Sequence, residues 1–145
     1  MGDRTQWPRL RDEDFHDTSD DTIDYNCIAH AAGVNDDWWW PSPIPNVSYW
    51  PPGVTVARTR AAFAEAYGTI GYEICADGDH EDGYQKIAIY VDDRDQPTHA
   101  ARELDGGHWT SKLGSDIDME HYDLACLEGG IYGTVAMFMR RPVAP

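Results

Sequence analysis

Lys86-Ile87-Ala88-Ile89-Tyr90-Val91, then Asp92-Asp93-Arg94-Asp95-Gln96, then Pro97-Thr98-His99-Ala100-Ala101-Arg102-Glu103-Leu104: this stretch decides the fold class. Two runs rich in strand formers flank a short acidic turn, so the second run returns beside the first. Asp105-Gly106-Gly107 follows as a tight hairpin signal, and His108-Trp109-Thr110-Ser111-Lys112-Leu113 reads as the next strand, stopped by Gly114. Short connections of this kind make antiparallel neighbours. Upstream, Tyr72-Glu73-Ile74-Cys75 reads as a short strand and Asp77 to Gly83 as an acidic loop. Downstream, Ser115 caps a helix over 116–128 with Ile117, Leu124 and Leu127 facing in, and Tyr132 to Met139 is the last strand.

The N-terminal half has a different texture. Residues 1–24 are polar and acidic, with Trp7, Leu10, Phe15 and Ile23 as apolar anchors, and read as an extended arm laid over the core. Asp24 precedes a short helix over 25–33 that Gly33 ends. Residues 34–54 hold Trp38-Trp39-Trp40-Pro41 and Tyr49-Trp50-Pro51-Pro52-Gly53, too rich in proline for a regular element, and form an ordered aromatic loop. Thr55 caps a second helix that runs through Phe63 and Tyr67 to Gly68. The expected architecture is α+β, with N-terminal helices packed on an antiparallel sheet of about four to five strands. It is a single domain over 1–145: an arm, a helical half over 25–68, and the sheet with one late helix over 71–141.

A chain of 145 residues is long enough for a real core, since that size buries roughly 70% of its unfolded surface. Six Trp, eight Tyr and three Phe argue against disorder. The net charge is −15, with 19 Asp, 7 Glu, 9 Arg and only 2 Lys. That field repels phosphate backbones and anionic bilayers, so neither nucleic acid nor a membrane is an expected partner. No apolar run reaches the roughly 18 residues of a membrane span. The N-terminus has no signal-peptide core, which points to the cytoplasm, with delivery out of the cell as an effector the alternative destination. Cys27, Cys75 and Cys126 are too few and too far apart for a disulfide scaffold or a zinc knuckle.

Cys27 carries the most chemical information. It lies in the first turn of the first helix, where backbone N–H groups favour a thiolate and can hold an oxyanion. The simpler reading is an inert packed thiol. His99, on a central strand, is either its general base or a satisfied strand histidine. Asn26 either adds a donor to the oxyanion site or caps the helix, and His30 is the alternative base on the same helical face. Trp38, Trp39, Trp40 and Trp50 either line a substrate groove or plug the core. The run Asp77, Asp79, His80, Glu81, Asp82 looks like part of a calcium loop but lacks its spacing and its terminal glutamate, so no metal or other cofactor is expected.

Tyr25-Asn26-Cys27-Ile28-Ala29-His30-Ala31, Trp38-Trp39-Trp40-Pro41, Pro97-Thr98-His99-Ala100-Ala101-Arg102 and Trp109-Thr110-Ser111-Lys112-Leu113-Gly114 resemble a family of small uncharacterised bacterial proteins over nearly the whole chain. The order of a helix-borne Cys and a sheet-borne His is similar to that of the NlpC/P60 and papain-like superfamily, and the resemblance implies a papain-like layout. Lys86-Ile87-Ala88-Ile89-Tyr90 and Thr98-His99-Ala100 match its strand pair. Lys86 stands where that superfamily has its base, and His99 where it has the orienting residue. In a transglutaminase-like register His99 serves Cys27 directly and is oriented by Ser111 or Asp116; Lys112, a donor, suits that role less. Trp109 and Lys86 join the binding candidates.

The resemblance implies a cysteine hydrolase or acyltransferase acting on an amide bond of a peptide or other amide substrate. The alternative is a non-catalytic acidic binding protein of immunity or inhibitor type, whose charge speeds association with a basic protein.

Overall fold

In the computed structural model, which describes residues 4–20, 22–44, 47–113 and 117–143, strand dominates over helix. One antiparallel sheet holds seven strands: β1 (Phe15–Asp17), β2 (Glu73–Cys75), β3 (Tyr84–Val91), β4 (Pro97–Glu103), β5 (Trp109–Lys112), β6 (Asp118–His121) and β7 (Thr134–Pro142), in the spatial order β1-β6-β5-β4-β3-β7-β2. The α-helices are α1 (Cys27–Ala31) and α2 (Arg60–Gly68). This corrects the expectation of helices packed on four to five strands in a papain-like layout.

Two of the added strands come from misread segments. Part of the N-terminal arm is β1, an edge strand paired with β6. The helix expected over 116–128 is instead β6 followed by a 3-10 turn, Ala125–Leu127. The spacing of Ile117, Leu124 and Leu127 suits a helix, but β5 and β1 offer open edges on both sides, and pairing overrides local preference. Gly114, Ser115 and Asp116 lie outside the described residues.

Both helices start later than their sequence signals suggest. Asn26, not Asp24, is the N-cap of α1, accepting from the Ala29 N–H at 3.1 Å. Thr59, not Thr55, caps α2, accepting from the Ala62 N–H at 3.1 Å. Among the described residues no helix is long and apolar enough to cross a membrane.

The sheet is buried on both faces, which is why residues 86–91 read as an almost unbroken apolar run. Ile87 and Ile89 point to one face, where Cys27, Ile28, Trp39, Phe63, Tyr67 and Ala100 pack. Ala88 and Tyr90 point to the other, against Trp7, Trp109, Met119, Leu127 and Tyr132. Gly133 lets these layers close: at φ +76° its Cα lies where an added Cβ would sit 1.9 Å from the Val91 carbonyl oxygen.

Candidate functional site

The alternation of β4 decides the fate of the expected Cys–His pair. His99 stands opposite Tyr90 in the β3–β4 ladder and therefore shares its face. Ala100, its neighbour, packs in the layer of α1, while Thr98, at the irregularity of the ladder, donates its hydroxyl to the Tyr132 carbonyl at 2.6 Å. The Cys27 thiol, 8% exposed, packs in the same layer as Ala100, with Sγ 3.8 Å from the Thr98 backbone carbonyl oxygen. Cys27 and His99 thus lie on opposite faces of the sheet and are not brought together. Burial pushes the Cys27 thiol up to about 11, outweighing the nearby backbone N–H groups of Ala100 and Ile28 that favour the thiolate.

The other residues expected around Cys27 are engaged elsewhere. Asn26 Oδ1 also accepts from the Trp39 N–H at 3.0 Å, and its Nδ2 donates to the Trp39 carbonyl at 2.8 Å. It caps the helix and pins the aromatic loop rather than facing a substrate. Trp39 is buried and stacks on Tyr67; Trp40 and Trp50 pack on Phe63. Trp38 alone of the four keeps a substantial exposed face, while its Nε1 donates to the Ile23 carbonyl. Trp109 is buried in the opposite core layer. Asp116 lies outside the described residues.

His30 reaches β5 and β6 rather than Cys27. Its Nε2 bonds Thr110 Oγ1 at 2.9 Å, and its Nδ1 lies 3.8 Å from Asp118 Oδ2, a carboxylate oxygen that also accepts from the Tyr25 hydroxyl. Burial holds His30 below the ordinary histidine value, although Asp118 opposes it. Lys112, wholly buried, donates to the Thr22 carbonyl at 2.8 Å. Lys86 is also buried. Its Nζ donates to Asp77 Oδ1 at 3.1 Å and to the Asp77 carbonyl at 3.0 Å, so it ties down the acidic loop. Among the described residues no three His, Cys, Asp or Glu side chains converge so as to hold a metal.

His99 and Ser111 do meet, on the face away from Cys27. His99 Nε2 and Ser111 Oγ are 2.9 Å apart, and Ser111 Oγ and His121 Nε2 are 2.8 Å apart. His121 Nδ1 lies 2.7 Å from the Asp123 carbonyl oxygen, which can only accept, so Nδ1 carries the proton. Nε2 of His121 is then bare and accepts the Ser111 O–H, and Ser111 accepts from His99 Nε2–H. The chain runs in one direction and leaves His99 Nδ1 as a buried lone pair without a partner, its ring stacked on Tyr132 at 4.0 Å. Burial pulls His99 well below its ordinary pKa and His121 down to about 4. All three side chains are completely buried. Such a directed chain rigidifies the core. His121 and Cys126, whose Sγ lies 3.9 Å from His121 Nδ1, were hidden in the sequence by the helical reading of their segment.

Open grooves lie elsewhere. One of about 480 Å³ runs between α2 and β7, lined by Arg60, Ile74, Cys75, Met137 and Phe138 among others. A smaller one of about 290 Å³ adjoins it at Cys75, Asp77, Glu81, Lys86 and Arg140. Neither includes Cys27, His99, Ser111 or His30.

The search of curated proteins and that of solved structures each returned no match. A family profile does match residues 16–140, from the first edge strand to β7, and so the chain belongs to the family described as a domain of unknown function, DUF7689.

Proposed function

We propose that this protein acts by binding a basic protein partner, in the manner of an acidic immunity or inhibitor protein, rather than by thiol chemistry. The observation that carries this reading is the distribution of charge. Both lysines of the chain are buried, so the exposed cations are arginine and histidine against a large excess of surface carboxylates. Asp12, Glu13, Asp17, Asp20 and Asp24 are exposed along the segment around β1, and β1 is an edge of the sheet. An acidic face of this kind steers a basic partner and raises its association rate. The placement of Cys27 and His99 on opposite faces of the sheet weighs against the cysteine hydrolase or acyltransferase that the resemblance implies. The reading places the protein in the cytoplasm, where its three free thiols stay reduced.

The test is cross-linking capture from source cytosol followed by association kinetics. A basic protein is expected, with an on-rate that falls at least tenfold between low and physiological salt. The on-rate should fall comparably when Asp12, Asp17 and Asp20 are changed to Asn and Glu13 to Gln. Turnover of an amide substrate that Cys27→Ala abolishes would overturn the reading.

A further inference from the structure

In a chain of net charge −15, one patch of the sheet leaves two guanidinium groups without a carboxylate. Arg102 on β4 stands in register with Ile87 on β3 and Thr110 on β5. Arg141 on β7 stands in register with Gln85 on β3, so the two arginines straddle β3 on the face that carries the helices. Arg9, Arg11, Arg58, Arg60 and Arg140 each meet an acidic side chain. The Arg102 side chain makes no hydrogen bond or ion pair to a described residue, and its Nε is completely buried with no acceptor. Arg141 has only neutral partners: the Ile70 carbonyl at 3.3 Å, Gln85 Oε1 at 3.2 Å and the Tyr72 ring, 4.6 Å away.

Neither nearby carboxylate pairs with Arg102, although Asp118 favours its charge and keeps Oδ1 buried without a hydrogen-bond partner. Asp118 accepts from the Tyr25 hydroxyl, and Glu120 pairs with His108 at 3.0 Å. A guanidinium does not shed its proton to escape burial. Arg102 and Arg141 also repel each other, and burial adds to the cost of the Arg102 charge. Tyr72 and Gln85 fix the plane of the Arg141 fork, since the Tyr72 hydroxyl bonds the same Gln85 oxygen at 3.2 Å. The terminal nitrogens of Arg102 keep contact with solvent, so a small ligand can reach them. At physiological salt the acidic field of the rest of the surface is screened beyond about 8 Å.

We propose that Arg102 and Arg141 form a binding site for a small oxyanion, the carboxylate or phosphate group of a low-molecular-weight ligand, gripped between the two guanidinium forks. This site is independent of the acidic face that would take a basic protein.

The experiment titrates sodium phosphate, and separately sodium succinate, into the full chain at constant ionic strength made up with sodium chloride, following the thermal midpoint and tryptophan fluorescence. At least one anion should give a saturable change beyond chloride. Arg102→Gln should weaken it at least tenfold, while Arg94→Gln, at the exposed β3–β4 turn, should leave it unchanged. A response to phosphate alone marks a phosphoryl ligand, and one to succinate alone a carboxylate ligand. If Arg102→Gln does not fold, Arg141→Gln carries the same expectation. No saturable change with either anion, or an equal change in the arginine variant and the parent, overturns the site.

Discussion

Replacing His121 by Asn keeps a donor near the Asp123 carbonyl but removes the ring that titrates. The parent holds His121 neutral down to about pH 4, whereas an unfolded chain protonates it near 6.5. Between those values the unfolded state binds more protons, so this histidine's contribution is complete above pH 6.5 and is lost as pH falls toward 4. A difference of that size, at 1.36 kcal/mol per unit, amounts to about 3 kcal/mol. His99 shifts in the same direction, and it stays in both proteins. Acidification also relieves the self-repulsion of a strongly negative chain, which stabilises the fold, so the parent's absolute curve is ambiguous and the difference from the variant is the informative quantity. At pH 7.5 the variant should be less stable by about 1–3 kcal/mol, because Ser111 loses its acceptor. By pH 4 that deficit should vanish or reverse. The assay is urea unfolding by tryptophan fluorescence at pH 7.5, 6.5, 5.5 and 4.5. The gap in midpoint should close by about 1–2 M, given a slope of about 2 kcal/mol per M for a chain of this size. A gap that stays constant, or widens in acid, refutes the directed His99–Ser111–His121 chain of neutral groups.

Iodoacetamide at pH 8 should label Cys75, half-exposed at the edge of the sheet, well before Cys27 or Cys126, whose thiols burial raises to about 11 and about 12; peptide mapping over time reads the order, and rapid Cys27 labelling would reopen the nucleophile reading. Gly133→Ala should cost at least about 2 kcal/mol in urea unfolding, because the new methyl meets the Val91 carbonyl at a positive φ that L-residues disfavour; a neutral effect would mean that this turn shifts freely.

Much of the sheet was legible because its signals are local. The apolar run at 86–91 reports a strand buried on both faces, and Asp105-Gly106-Gly107 supplies two positive-φ glycines that close β4 onto β5. A polar residue ahead of each helix announces a cap, although the cap used is the one nearest the packed residues. What the sequence leaves open is everything that depends on which face a side chain takes. His99 sits next to Ala100, and with a period of two only one of them can meet α1. The choice follows from register, and the β3–β4 ladder shifts between Tyr90 and Val91, an irregularity with no marker in the residues themselves. The same holds for β1 and β6, short strands of weak pattern that exist because partner edges are free beside them. Composition by itself determined that the surface is acidic and the core aromatic. Only the tertiary structure decided that Cys27 faces away from His99, that both lysines are internal, and that Arg102 lacks a carboxylate, because these facts are set by pairing between segments far apart in the chain.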